Sequence, residues 1–342
     1  MTGPRDAILA VTHRCNAHCV MCGIWQSTAE DRLAPDHLAN LPASLRTLNL
    51  SGGEPFLRND LPDFVAAARE ACPKAVITLS TNGYLPDRIV AQMRTIRRID
   101  PAVRLAVSID GIGPAHDAVR GDEGAFDRAR ETLDRLLADG FDGLRLSMTL
   151  SRDNLDQLAG VAELADRLGL ELGLVSAHDA PTHLGTEGQP AAGPQGLSRL
   201  AEQLEPLLDR WLRSWRPKLW ARAHFAAGTY LRMIGRPWRF ACAAGRDFFF
   251  CQADGEICHC SVHGRRLGNL IEDDFDALWN APAARAARRH ARACPTACWM
   301  ICTARSVYRQ QAPAVMQWML RHKWRAHLGR PHLPPPGQGG ES

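Results

Sequence analysis

Six short apolar runs rich in β-formers recur at residues 7–12, 46–50, 75–80, 103–109, 143–149 and 171–176. The stretches between them include 61–71, 88–99, 126–139 and 154–168, which carry apolar residues at helical spacing. Strands alternating with helices of that length predict βαβ units and a parallel sheet. Six such units suit either a partial barrel or an open, doubly wound sheet. The polar signals then locate a site. Cys15, Gly52 to Glu54, Thr81 with Asn82, and Asp110 each follow directly after a predicted strand. Ligands of such sheets bind at the C-terminal strand ends, so four polar motifs at four consecutive ends converge on one place.

The chain has 342 residues, 45% of them hydrophobic, enough for two domains and a sizeable core. No stretch reaches the roughly 20 apolar residues of a membrane span, and residues 1–14 lack the pattern of a secretory signal. A cytoplasmic location is expected. Eleven cysteines are many for such a chain, and clustered cysteines in the cytosol bind metal or do redox chemistry more often than they form disulfides. Cys15, Cys19 and Cys22 form one group. Cys242, Cys251, Cys258, Cys260, Cys294, Cys298 and Cys302 form another, and Cys72 stands alone. The pattern is of two metal-bearing ends around a scaffold.

The first group reads Cys-x3-Cys-x2-Cys directly after a strand. Four thiolates usually hold an iron–sulfur cluster; three would leave one iron open to a cofactor or substrate. The spacing also suits zinc, with His13 or His18 as a further ligand. The motifs downstream separate the two. Cys15, Cys19 and Cys22 resemble the signature triad of the radical S-adenosylmethionine (SAM) superfamily. Gly52-Gly53-Glu54-Pro55 resembles its GGEP motif, Ser80-Thr81-Asn82-Gly83 its third-strand motif and Ser108-Ile109-Asp110-Gly111 its fourth-strand motif, with Arg120-Gly121 beyond. The resemblance covers residues 7–176 in order. One departure is Met21, where the family often has an aromatic residue.

The resemblance implies an α/β fold, a partial (β/α)6 TIM-like barrel with a smaller C-terminal iron–sulfur domain. It implies a 4Fe-4S cluster on Cys15, Cys19 and Cys22, with SAM bound by Gly52, Gly53, Glu54, Pro55, Ser80, Asn82, Ser108 and Asp110. Glu54 is expected to accept a hydrogen bond from the methionine ammonium. Reductive cleavage of SAM would yield a 5′-deoxyadenosyl radical that abstracts hydrogen from a substrate, fed by an electron donor such as flavodoxin or ferredoxin. Cys242-x12-Gly255-x4-Cys260, the run Leu267-Gly268-Asn269-Leu270, and Cys294-x3-Cys298-x3-Cys302 resemble the SPASM and twitch domains that carry auxiliary clusters. That implies at least one auxiliary 4Fe-4S cluster on Cys242, Cys260, Cys294, Cys298 and Cys302. Cys251 and Cys258 are left as ligands of a second auxiliary cluster, as a hydrogen-atom donor, or as inert buried thiols. The domains expected are a barrel over 1–180, a linker with bridging helices over 181–235, an auxiliary-cluster domain over 236–330, and a Pro/Gly-rich disordered tail over 331–342.

Residues 210–246 hold nine Lys or Arg and no Asp or Glu, interleaved with Trp211, Trp215, Trp220 and Trp238, against a net charge of only +4 for the chain. Such a segment suits a solvated inter-domain face or an anionic substrate. Nucleic acid is not expected, because no binding module accompanies it. Residues 314–328 form a basic amphipathic stretch in which Val315, Met316, Met319, Leu320 and Trp324 could share one face. It is expected to dock on the core, with a membrane surface as the alternative. The first substrate class expected is a small or lipid-linked anionic, sugar-like molecule that is oxidised or epimerised. The second is a ribosomal peptide, against which the position of Cys15 weighs by leaving no room for a preceding recognition domain. A non-catalytic metal-binding scaffold is the third.

Overall fold

The computed structural model describes residues 3–189 and 191–336. Six parallel strands stand in sequence order: β1 (Asp6–Thr12), β2 (Thr47–Gly52), β3 (Val76–Thr81), β4 (Arg104–Ser108), β5 (Leu144–Leu150) and β6 (Glu171–Ser176). Helices α1 (Leu61–Ala71), α2 (Pro86–Ile99), α3 (Pro114–Arg120), α4 (Ala125–Ala138) and α5 (Leu158–Arg167) connect them. The strand pattern explains the layering. In β5 the buried Leu144, Leu146, Met148 and Leu150 alternate with half-buried Arg145, Ser147 and Thr149. Alternate side chains point to opposite faces of a strand. One face packs into the main core with Leu9, Leu48, Leu50, Ile77, Leu79, Leu105 and Val107 from the other strands. The opposite face lines the lumen; it is polar on β2 to β5, with Asn49, Ser51, Thr78, Ser80, Ser108, Ser147 and Thr149, and apolar at Ile8, Ala10 and Phe250 of β1 and the later Phe248–Cys251 strand. The strands are not closed into a ring, so the barrel is partial.

After β6 come α6 (Pro181–Leu184), α7 (Pro194–Arg213) and α8 (Pro217–Met233). Prolines 194 and 217 stand at the first helical position, where a missing N–H is harmless. Then β7 (Phe248–Cys251) adds to the sheet parallel to β1, pairing Asp6 with Phe248 through Leu9 with Cys251. The strands β8 (Glu256–Cys258) and β9 (Arg266–Asn269) follow antiparallel, giving the order β6-β5-β4-β3-β2-β1-β7-β8-β9. The C-terminal part is thus built onto the barrel's own sheet. It is completed by α9 (Phe275–Asn280), α10 (Pro282–Arg292), α11 (Ile301–Gln310) and α12 (Ala312–His327).

Three segments differ from expectation. The glycine-rich stretch after β6, read as linker, packs on the first cysteine loop: the Gly23 N–H donates to Leu184 O at 2.7 Å and Gln189 Nε2 to Met21 O at 3.2 Å. Residues 331–336 are ordered rather than loose, with the Leu333 N–H donating to Glu205 at 3.1 Å and Tyr230 Oη to Pro334 O at 3.0 Å; 337–342 lie outside the described residues. In α12 the apolar residues split between two faces. Val315, Met319, His322 and Ala326 pack inward, while Met316, Leu320 and Trp324 are exposed.

The basic segment is partly absorbed by acids of the fold. Lys218 and Arg222 share Glu171, Arg210 pairs with Asp166, and Arg213 with Asp209. Trp211 is buried, and Trp220 and Trp238 pack with Trp299 and Tyr308, while Trp215 is exposed with Lys323 Nζ 4.8 Å over its ring. Among the described residues no helix is long and apolar enough to cross a membrane.

Candidate active site and cluster sites

The first cysteine loop leaves β1 at Thr12, where Asp31 fixes its course. Thr12 Oγ1 donates to Asp31, as does the His13 N–H at 2.7 Å. The loop is then strapped to the end of α3, with the N–H groups of His18 and Val20 donating to the carbonyls of Arg120 and Val119 at 3.1 and 3.0 Å. Cys19 and Cys22 are tied by the Cys22 N–H to Cys19 O bond at 3.1 Å. Burial pushes the Cys15 thiol up to about 12, reinforced by nearby Cys19 and Cys22, and raises Cys22 as well. Buried thiols of this kind ionise only beside a compensating cation, which is the environment an iron cluster supplies. The histidines offered as zinc ligands are otherwise engaged: His18 stands edge-on to Trp25 and His13 faces Asp31.

The end of β2 runs against this loop. The N–H groups of Gly53 and Glu54 donate to Thr12 O and Arg14 O at 2.9 and 2.8 Å. Gly52 takes a φ of 128°, and a Cβ on Gly53 would lie 2.1 Å from Arg14 O. Only glycine allows that approach, so the two glycines form a side-chain-free cradle beside the thiols. Pro55 opens a short helical turn beyond.

Glu54 has no exposed surface. Its carboxylate accepts from the Phe56 N–H at 3.1 Å, Thr81 Oγ1 at 2.9 Å and the Asn82 N–H at 2.7 Å. It therefore staples β2 to β3. Burial pushes its carboxyl up to about 7 against the pull of those donors. Asn82 Nδ2 donates to Asn16 Oδ1 at 2.7 Å, joining the β3 end to the cysteine loop. Ser80 and Ser108 face the lumen, half-buried, with Ser80 Oγ 3.5 Å from Asn49 Oδ1.

Asp110 is held from several sides. It is fully buried, accepts from the Thr149 N–H at 2.7 Å, and pairs with Arg120 at 2.7 Å. Arg120 in turn reaches Cys19 Sγ at 3.6 Å. Burial works against the Arg120 charge, yet Asp110 and Cys19 outweigh it and raise its pKa. Asp110 thus acts through Arg120 on a thiol. Two supporting residues carried no sequence signal. His116 Nδ1 accepts from the Asp110 N–H at 3.0 Å and is kept neutral by burial, and Asn154 Nδ2 donates to the carbonyls of Asp110 and Thr149 at 2.9 Å each.

The second group assembles at the other end of the strands. Cys242 precedes β7, Cys260 follows β8, and Cys302 lies in the first turn of α11. The spacing Cys-x12-Gly-x4-Cys is that of the β7–β8 hairpin, whose turn puts Gly255 at φ 87° with Asn269 Oδ1 2.5 Å from where a Cβ would be. Cys242, Cys260, Cys298 and Cys302 pack together with Phe248, Val262 and Ala291. Burial pushes Cys242 up to about 11 and Cys302 to about 12. Cys294 sits at the edge, its Sγ 3.3 Å from His263 Nε2. Four packed thiols from three segments match the donor set of a cubane. Cys251 faces the main core and Cys258 contacts Glu256 at 3.3 Å; both are fully buried and neither joins the packed group.

A parallel barrel thus carries three thiols and a glycine cradle at its strand ends, and a second group of thiols at its base. Residues 9–165 match the family model for the radical SAM superfamily, and residues 242–303 match that for an iron–sulfur cluster-binding domain. The mycofactocin maturase MftC of Mycobacterium ulcerans is 31% identical over 296 residues, covering 81% of this chain and 75% of the relative. The AdoMet-dependent heme synthase of Methanosarcina barkeri is 29% identical over 303 residues, covering 81% and 82%. The solved structure of native anSMEcpe with bound AdoMet and Cp18Cys peptide superposes with a TM-score of 0.64 at 14% identity, covering 93% of this chain and 99% of that one. The chain belongs to the radical SAM superfamily. Its N-terminal domain binds SAM and a 4Fe-4S cluster, and its C-terminal domain binds auxiliary iron–sulfur chemistry.

Proposed function

We propose that the chain is a radical SAM maturase acting on a peptide. The relation that carries this reading is the 31% identity to a mycofactocin maturase across 81% of the chain. The peptide class, placed second from sequence alone, is thereby preferred to the small or lipid-linked anionic molecule. The lumen supports it, since the half-buried Asn49, Ser51, Ser80, Ser108, Ser147 and Thr149 offer donors and acceptors to an extended polar backbone.

In this reading Cys15, Cys19 and Cys22 hold the first cluster, and Gly52 and Gly53 let the cofactor's methionine lie against backbone. When bound, the cluster and SAM supply a 5′-deoxyadenosyl radical that takes a hydrogen atom from the substrate. The chain's own task is position. Glu54 and Asn82 fix the strand ends, Arg120 holds Cys19, and the stretch 180–189 covers the loop from solvent. Cys242, Cys260, Cys298 and Cys302 hold the auxiliary cluster, with Cys294 outside the ligand set. A flavodoxin- or ferredoxin-type donor supplies the electron.

A second reading rests on the 29% identity to a heme synthase over 81% of the chain, and would put an iron porphyrin in the lumen. The test is 5′-deoxyadenosine release by the reconstituted enzyme with SAM and dithionite, in the presence of short peptides encoded beside its gene or of an iron porphyrin. Peptide-dependent release with a mass change in the peptide supports the maturase. Stimulation by the porphyrin alone would overturn it.

A further inference from the structure

Arg145 is a lumen-facing residue between Leu144 and Leu146, which are buried on the other face of β5. Its guanidinium makes no hydrogen bond or ion pair among the described residues. Glu171, the carboxylate whose charge favours it, is already held by Lys218 at 2.7 Å and by Arg222. The other charges that act most strongly on it are cations: Arg305, Arg222 and Arg104. Burial, with these neighbours, lowers its pKa to about 10, so it remains a cation at neutral pH. A half-buried cation with no paired carboxylate of its own leaves its fork open to an anion, and arginine's planar fork is matched to carboxylate.

There is room for such a partner. Arg145 and Arg305 line a cavity of about 40 Å3 with Asn49, Thr78, Phe248 and Cys302. Asp6 also borders it, but Asp6 is engaged by Arg309 at 2.8 Å, by Arg305 and by Thr47. One water needs at least about 10–15 Å3 of such space, so the cavity accommodates a carboxylate head with a water and not a whole substrate. Above it Asn49 meets Ser80, and Asn82 follows two residues on. Thr78 and Asn82 are four residues apart, roughly 13 Å at about 3.3 Å per residue. The cavity therefore lies at the lumen floor, between the SAM cradle and the auxiliary thiol Cys302.

We propose that Arg145, assisted by Arg305, is a carboxylate-binding subsite that anchors an anionic group of the substrate while the reacting carbon lies about 13 Å above, at the strand ends. The assignment rests on the lumen being the substrate chamber, and it deepens the maturase reading. An extended peptide advances about 3.3–3.6 Å per residue, so the reacting position would lie three to four residues from the anchored carboxylate.

The test is the melting temperature of the reconstituted holoenzyme titrated anaerobically with sodium propionate, against sodium chloride at equal ionic strength and against propionamide. Wild type should gain stability with propionate alone, by mass action at millimolar concentration. Arg145→Gln should lose that response at least tenfold in concentration, and Arg145→Lys should retain part of it. Arg145→Gln without ligand should melt no lower than wild type, because it removes an unpaired charge. No propionate response in wild type, an equal response in Arg145→Gln, or an unfolded Arg145→Gln would each overturn the proposal; the last would make Arg145 a structural residue. Inorganic phosphate acting more strongly than propionate would overturn the carboxylate assignment. Propionate binding at Arg145 in an enzyme that turns over no peptide would leave the subsite standing and remove the maturase reading.

Discussion

Replacing Asp110 with asparagine keeps the side chain's shape and an acceptor for the Thr149 N–H while deleting the charge that Arg120 faces at 2.7 Å. Both partners are buried, Asp110 completely and the Arg120 side chain 9% exposed. Removing one partner of a buried pair strands the other and typically costs about 3–5 kcal/mol. At about 2 °C per kcal/mol for a chain of this size, the melting temperature should fall roughly 6–10 °C. The assay is a set of anaerobic melts of the reconstituted enzyme for wild type, Asp110→Asn, Arg120→Leu and the double variant. The pair is coupled, so Asp110→Asn should cost little once Arg120 is leucine. Iron content should fall with the single variant, because the freed guanidinium lies 3.6 Å from Cys19 Sγ. A loss under 1 kcal/mol, or the same loss in the Arg120→Leu background, would refute the Asp110–Arg120–Cys19 arrangement.

Further predictions follow from the same geometry. Gly53→Ala should fold yet lose SAM binding at least a hundredfold by equilibrium dialysis, because its Cβ would meet Arg14 O at 2.1 Å; unchanged affinity would contradict the cradle. Cys302→Ala should lose the auxiliary cluster's iron while Cys294→Ala keeps it, since Cys294 is only partly buried at the rim of the group with its Sγ 3.3 Å from His263 Nε2; the reverse pattern would exchange their roles. His224, caged by Trp238, Trp299 and Trp318, has its pKa lowered by burial from 6.5 to about 3. A depressed histidine contributes stability that is present above pH 6.5 and lost as pH falls toward 3, at most roughly 5 kcal/mol at 1.36 kcal/mol per pKa unit. Denaturant titrations should find His224→Phe less acid-sensitive than wild type between pH 6.5 and 4, and an identical pH profile would be evidence against a buried neutral imidazole.

The barrel strands were legible because their two-residue alternation survives in sequence. Leu144, Leu146 and Met148 mark one face of β5 and Arg145, Ser147 and Thr149 the other. The polar motifs were legible because each sits at a strand end. Their division of labour was not. Glu54 and Asp110 read as cofactor contacts, and the structure adds partners for their carboxylates that the sequence did not show: Thr81, Asn82, Thr149 and Arg120, 10 to 39 residues away. The parallel docking of β7 on β1 was equally hidden, because Phe248 to Cys251 is a four-residue run that pairs across more than 200 positions. In α12 one stretch of apolar residues gave two faces, because burial depends on what α7 and α8 present to it. Arg145 drew no attention in sequence, since a single arginine in a strand is ordinary until its partners are known.

The central claim is that two separate thiol groups each hold a four-iron cluster. Iron per chain after anaerobic reconstitution, compared between wild type and the Cys15→Ala/Cys19→Ala/Cys22→Ala variant, tests it most directly. The account predicts about eight irons falling to about four, at four per cubane. Bound zinc without iron, or an iron content unchanged by the triple substitution, would contradict it.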